Sequence, residues 1–108
     1  FSKLVKNKYT VAVSSGSDAD LIMTAALKEY YNWPRGSNLL LSIAGFPTTY
    51  SAVIFNNLEL NLVDVEKDTL NFDLEKLESQ INDKTVGVFV SLQICPMLRG
   101  ARMGLAMA

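Results

Sequence analysis

A chain of 108 residues with 49% apolar and 19% charged residues has the composition of one ordinary globular domain, neither disordered nor fibrous. Ten basic against eleven acidic residues leave a net charge of −1, which gives no electrostatic reason to expect nucleic acid or an anionic membrane as a partner. Histidine is absent, which excludes Ser-His-Asp triads and zinc hydrolase chemistry within these residues, and the single cysteine, Cys95, can form no internal disulfide.

The lone cysteine fits a reducing, cytoplasmic compartment. No apolar stretch approaches the roughly 18 residues of a membrane span, and nothing reads as a signal peptide. The chain opens on Phe1 rather than methionine, so an internal piece of a longer protein is expected.

In chain order, residues 9–13 (Tyr-Thr-Val-Ala-Val) form a β-branched apolar run that stops at Ser14-Ser15-Gly16-Ser17, and predict a short buried strand. Ala19, Ile22, Met23, Ala26, Leu27 and Tyr30 then recur at the spacing of one helical face. Ser17 with Asp20 fits a capping box at the start of that helix, and Pro34 and Gly36 close it. Residues 39–44 predict a second strand, and Gly45-Phe46-Pro47 turns the chain into a short helix over 48–56, with Pro47 suited to a first helical position. Asn56-Asn57 is the exit. Residues 58–65 predict a third strand. Asp73 reads as the N-cap of a further helix, with Phe72 and Leu77 as its hydrophobic staple and Leu74, Leu77 and Ile81 as its buried stripe. Residues 86–90 predict the fourth strand. This alternation argues for an α/β fold, a mostly parallel sheet with flanking helices. Residues 93–108 hold Cys95, Pro96, two arginines, two glycines and three methionines without periodicity, and are assigned to no element.

Two motifs carry chemistry. Residues 13–19 place small side chains where a strand opens into a helix, so free backbone N–H groups and the positive end of the helix dipole converge on a point suited to phosphate. The motif lacks the Walker lysine and the three-glycine dinucleotide pattern, and taken by itself it reads first as a simple strand-to-helix turn with a capping serine. Asp18 and Asp20 stand beside it, where their charge would repel a phosphate. Phe46 lies at the tip of a strand-to-helix turn, where it either joins the core or offers a platform for a planar ring. Lys3, Lys6 and Lys8 read as a solvated face, and Cys95 lacks a histidine to activate it.

Residues 11–21 (Val-Ala-Val-Ser-Ser-Gly-Ser-Asp-Ala-Asp-Leu), then 44–49 (Ala-Gly-Phe-Pro-Thr-Thr), then Val63-Asp64-Val65 and 69–73 (Thr-Leu-Asn-Phe-Asp) occur in the order seen in one enzyme family. Over about residues 1–92 the chain resembles the N-terminal part of the large domain of the DegT/DnrJ/EryC1/StrS sugar aminotransferases. The Gly-Phe-Pro-Thr-Thr stretch resembles most the branch of 3-dehydrases acting on CDP-4-keto-6-deoxyglucose. The resemblance implies fold type I, pyridoxal 5'-phosphate or pyridoxamine 5'-phosphate as cofactor, a nucleotide-sugar substrate in deoxysugar and lipopolysaccharide biosynthesis, and a homodimer. It gives Gly16 and Ser17 to the cofactor phosphate and Phe46 to stacking on the pyridine ring. It places no catalytic residue and no metal in this chain: the aspartate for the pyridine nitrogen and the catalytic lysine, or the histidine that replaces it in dehydrases, match nothing here.

Two departures stand out. Asp18 and Asp20 occupy positions where small or neutral residues are usual, and Gln93-Ile94-Cys95-Pro96-Met97 replaces a Gly-and-Pro turn. The expectation is therefore part of a nucleotide-sugar aminotransferase or 3-dehydrase, inactive alone, with residues 1–92 in the cofactor-binding domain and an aberrant tail over 93–108. A competing expectation is a non-enzymatic α/β module that binds a phosphate or a partner at the turn of residues 15–17.

Overall fold

The computed structural model describes residues 2–90 and the backbone of 104–106. Three consecutive leucines, Leu39 to Leu41, can all be buried only in a strand covered on both faces, and they form the centre of the sheet. This strand, β1 (Asn38–Ser42), lies between β2 (Glu59–Val63) and β3 (Thr85–Val90), parallel to both. The crossovers carry α3 (Pro47–Phe55) between β1 and β2, and α4 (Leu74–Gln80) between β2 and β3. The sheet order is β2-β1-β3-β4, with β4 (Gly104–Ala106) antiparallel to β3. The α/β class and the mostly parallel sheet are as expected. Of the tail over 93–108 only the backbone of β4 is described; Cys95 and the remainder lie outside the described residues.

One expected strand is missing. Residues 9–13 are irregular and pair with no described strand, and Val11 is 80% exposed. A β-branched run becomes a strand only where a neighbour satisfies its backbone groups, and none is offered among the described residues. A four-residue helix, α1 (Ser2–Val5), precedes it, unforeseen in the sequence.

Helix α2 (Gly16–Tyr30) forms as expected but turns a different face inward. Asp20 and Thr24 are buried and Met23, Leu27 and Lys28 half-buried, whereas Ile22, Ala26 and Tyr30 are exposed. The spacing is still helical, but the stripe is centred on two polar residues, each with one side-chain hydrogen bond. Its N-cap is Ser15 rather than Ser17: the Ser15 Oγ accepts from the Asp18 N–H at 3.1 Å. Its end is set by Asn32 in the left-handed region (φ 50°), ahead of Pro34 and Gly36. The Trp33 N–H reaches Lys28 O at 3.0 Å and the Asn32 N–H reaches Glu29 O at 3.2 Å, which is a Schellman closure. Helix α3 ends in the same way at Asn57 (φ 57°), with the Leu58 N–H on Val53 O at 3.2 Å.

Leu39, Leu41, Val53, Leu58 and Phe89 form the core cluster, and Met23, Trp33, Tyr50, Leu60 and Val86 pack against it. Helix α4 contributes little. Asp73 caps it as expected, its side chain accepting from the Lys76 N–H, but Leu74 and Ile81 are exposed and only Leu77 is half-buried. Seven residues laid along β2 cannot bury a full stripe, and Ile81 already stands beyond the last turn, at the C-cap.

On the surface, Lys76 Nζ lies 2.6 Å from Asp64 Oδ2, with both side chains about half exposed. The Lys76 hydrogen bond, followed by that of the Val65 N–H, holds the Asp64 carboxyl below the usual carboxylate range, and Asp64 raises Lys76 in return. A depressed carboxyl stabilises the fold above its unfolded pKa and loses that contribution as pH falls through the folded value. A raised lysine loses its contribution at the alkaline end. Solvent screening keeps both contributions small. In Lys76→Met, an NMR titration is expected to show the Asp64 midpoint moving up with little change in melting temperature; an unmoved midpoint contradicts the pairing.

Candidate functional site

In parallel α/β sheets, ligands bind beyond the carboxyl ends of the strands, where helix N-termini gather. From the carboxyl end of β1, residues 43–46 lead directly into α3. Tyr50 fixes that turn: its hydroxyl accepts the Gly45 N–H at 2.9 Å and donates to Ser42 O at 2.8 Å. A Cβ on residue 45 would stand 2.8 Å from the same hydroxyl and 3.1 Å from Ser42 O, so a larger residue there would have to displace Tyr50. Phe46 follows at the N-cap of α3 with extended backbone and no side-chain capping bond. It is 48% exposed, so burial in the core, the plain alternative for an aromatic residue, is not what the fold does with it.

At the start of α2 the Ser15 carbonyl accepts the Ala19 N–H at 3.0 Å, and the Ser15 side chain takes the Asp18 N–H. The N–H groups of Gly16 and Ser17 have no acceptor among the described residues, nor does the exposed Ser17 hydroxyl have a partner there. Gly16 is open on its side-chain face, with no atom within 4 Å of a Cβ built there. Two free N–H groups and one hydroxyl at the positive end of a fifteen-residue helix match what a phosphate requires.

The two aspartates behave differently from one another. Asp18 remains in the first turn, its carboxylate accepting from the Ser14 hydroxyl. Asp20 is only 6% exposed, engaged between α2 and α3: its Oδ2 accepts from Thr49 Oγ1 at 3.0 Å, and Thr49 is equally buried. The Thr49 N–H in turn donates to Phe46 O at 3.1 Å. The Thr24 hydroxyl donates to Asp20 O at 2.7 Å. Asp20 Oδ1 has no partner among the described residues, which costs of order 1–3 kcal/mol. Asp20 thus links the two candidate turns through Thr49. Thr49, Tyr50 and the Asp20 link were not foreseen in the sequence. The signal for Asp20 was there: it shares a stripe with Met23, Thr24 and Leu27, where a carboxylate needs a buried partner.

An open depression of about 380 Å³ lined by Asn38, Glu59, Asn61, Asn82, Asp83 and Lys84 lies at the amino ends of the strands, opposite to Phe46. It offers one lysine against two acids. Among the described residues no helix is long and apolar enough to cross a membrane, and no cluster of three His, Cys, Asp or Glu could hold a metal ion.

Residues 1–94 match the DegT/DnrJ/EryC1/StrS aminotransferase family. The chain belongs to that family. Within it, the chain is 39% identical over 90 residues to a GDP-4-keto-6-deoxy-D-mannose 3-dehydratase of Yersinia pseudotuberculosis, covering 82% of this chain and 23% of that protein. A Salmonella typhimurium protein named for lipopolysaccharide biosynthesis is 30% identical over 87 residues, covering 77% of this chain and 20% of its own length. The solved structure of the Escherichia coli GDP-4-keto-6-deoxy-D-mannose 3-dehydratase with bound hydrated pyridoxal phosphate superposes with a TM-score of 0.73 at 34% identity, over 81% of this chain and 23% of that one. A Burkholderia pseudomallei sphingosine-1-phosphate lyase, at 16% identity, superposes with a TM-score of 0.62 and attests the fold alone. The DegT/DnrJ/EryC1/StrS chain therefore carries part of the fold type I architecture, as expected, and spans about a quarter of the length of these relatives.

Proposed function

We propose that this chain is the N-terminal part of the cofactor-binding domain of a nucleotide-sugar 3-dehydratase or aminotransferase dependent on pyridoxal or pyridoxamine phosphate. The observation that carries this reading is the superposition onto the dehydratase that holds hydrated pyridoxal phosphate. The free N–H groups of Gly16 and Ser17 and the Ser17 hydroxyl receive the phosphate, and Phe46 stacks on the pyridine ring. When bound, the cofactor supplies the electron sink for chemistry beside the sugar ketone. The chain's own residues bind and orient it. The names of the relatives favour a GDP-linked 4-keto-6-deoxy sugar over the CDP-linked sugar of the family resemblance. A cytoplasmic homodimer completes the proposal. The turn of residues 15–17 serves equally well a module that binds phosphate without catalysis, and the superposition favours the enzyme.

Phe46 provides the test. An aromatic pair contributes about 0.5–1.5 kcal/mol beyond burial, so Phe46→Leu is expected to loosen the cofactor by up to about tenfold while Phe46→Trp is tolerated. The check is a pyridoxal phosphate titration followed by absorbance in the protein expressed from its complete reading frame. Lower fold stability in Phe46→Leu with unchanged cofactor affinity and spectrum would make the role of Phe46 structural and overturn the stacking assignment.

A further inference from the structure

Asp20 is unexplained by the reading above: a buried carboxylate, one oxygen of which has no partner among the described residues, in the contact between α2 and α3. We infer that Asp20 is a positioning residue that holds the phosphate-binding start of α2 and the Phe46 platform at the start of α3 in one geometry. The inference rests on the roles proposed for Ser17 and Phe46.

The connection runs through named bonds. Asp20 lies one helical turn after Ser17, its Oδ2 takes the Thr49 hydroxyl at 3.0 Å, and the Thr49 backbone N–H is bound to Phe46 O at 3.1 Å. Each candidate ligand turn is therefore within one turn of helix of the same buried hydrogen bond. Nothing else described fixes the starts of the two helices to each other by a polar contact. The remaining polar ties, Lys28 Nζ to Asn56 O at 2.6 Å and Asn56 Nδ2 to Leu21 O at 3.4 Å, engage the far end of α3. Removing the Asp20 bond leaves those in place, with the far end of α3 still tied to α2, and removes the polar tie at the start of α3.

Folding alone gives no reason for this pair. Oδ1 is buried without a donor, and replacing both members of such a pair by apolar groups of similar shape is close to neutral or stabilising. A contact that is poor for stability and sits between two ligand turns is accounted for by the geometry that it imposes on them.

The test compares Asp20→Leu/Thr49→Val with Asp20→Asn and Thr49→Ser, which keep an acceptor and a donor respectively. Ser17→Ala serves as control, all in the protein expressed from its complete reading frame. Pyridoxal phosphate affinity, the ³¹P resonance of the bound cofactor and the melting temperature are measured together. The double variant is expected to keep or raise its melting temperature, to lose about tenfold in affinity and to shift the ³¹P resonance, with affinity restored in Asp20→Asn and Thr49→Ser. Unchanged affinity and resonance in the double variant, while Ser17→Ala weakens binding, overturns the inference alone. Failure to fold or a lowered melting temperature makes the pair structural and also overturns it. Unchanged affinity in Ser17→Ala overturns the phosphate assignment itself, and the inference with it.

Discussion

Ser17→Ala is expected to weaken pyridoxal phosphate binding by about 1.5–3 kcal/mol, roughly ten- to 150-fold, the value of a hydrogen bond to a charged group. The fold makes this substitution a clean one. Ser15, not Ser17, caps α2, so the change removes a hydroxyl without removing the cap and leaves helix stability nearly intact. Ser17 is exposed and makes no bond within the described residues, so no internal partner is orphaned. Equilibrium dialysis against pyridoxal phosphate reads the loss directly, and affinity equal to that of the unmodified protein would assign the phosphate elsewhere. The complementary Ser15→Ala is expected to do the reverse, lowering fold stability by about 1 kcal/mol through the lost cap.

The 108-residue chain expressed by itself is expected to aggregate or to remain molten, and to form no borohydride-reducible cofactor adduct at a defined lysine. Eight apolar side chains are buried in the described residues, whereas sixteen large ones are exposed, among them Val11, Ile22, Phe55 and Leu74. Among the described residues, strand β2 lies at the edge of the sheet with one side of its backbone unpaired, and residues 9–13 pair with no strand. Open edges and apolar surface of that extent favour association over a unique packed state. Urea unfolding followed by near-UV circular dichroism, with dye binding to exposed apolar surface, makes the measurement. A cooperative transition together with a reducible adduct at one lysine would show that the chain is a self-sufficient domain.

Much of the architecture was legible in the sequence because the local signals and the tertiary requirement agreed. The leucines of β1, the alternation of strands and helices, Pro47 at the start of α3 and the Asp73 cap each have one local reading. The failures share a cause. Residues 9–13 carry strand propensity, but a strand is defined by its neighbour, which lies in no local pattern. In α2 the helical spacing was legible, yet the face turned inward carries Asp20 and Thr24, and the partner of Asp20, Thr49, lies 29 positions away, beyond any local pattern. The capping serine slipped by two because Ser15, Gly16 and Ser17 are all acceptable caps, and only the backbone shows which one has extended geometry. At the candidate site the positions of Gly16 and Ser17 at the start of α2 and of Phe46 at the start of α3 were legible. Tyr50, which holds the Gly45 turn, was not, since nothing local says that its hydroxyl folds back over its own loop.

The most direct measurement is of the Gly16 and Ser17 amide resonances in the isotopically labelled protein expressed from its complete reading frame, titrated with pyridoxal phosphate and, separately, with pyridoxal. Both amides are expected to move far downfield with pyridoxal phosphate, to show coupling to its phosphorus, and to stay nearly still with pyridoxal, since the hydrogen bonds are made to the phosphate. Amide shifts centred elsewhere, or the same shifts with both compounds, would contradict the assignment of the α2 N-terminus as the cofactor phosphate site.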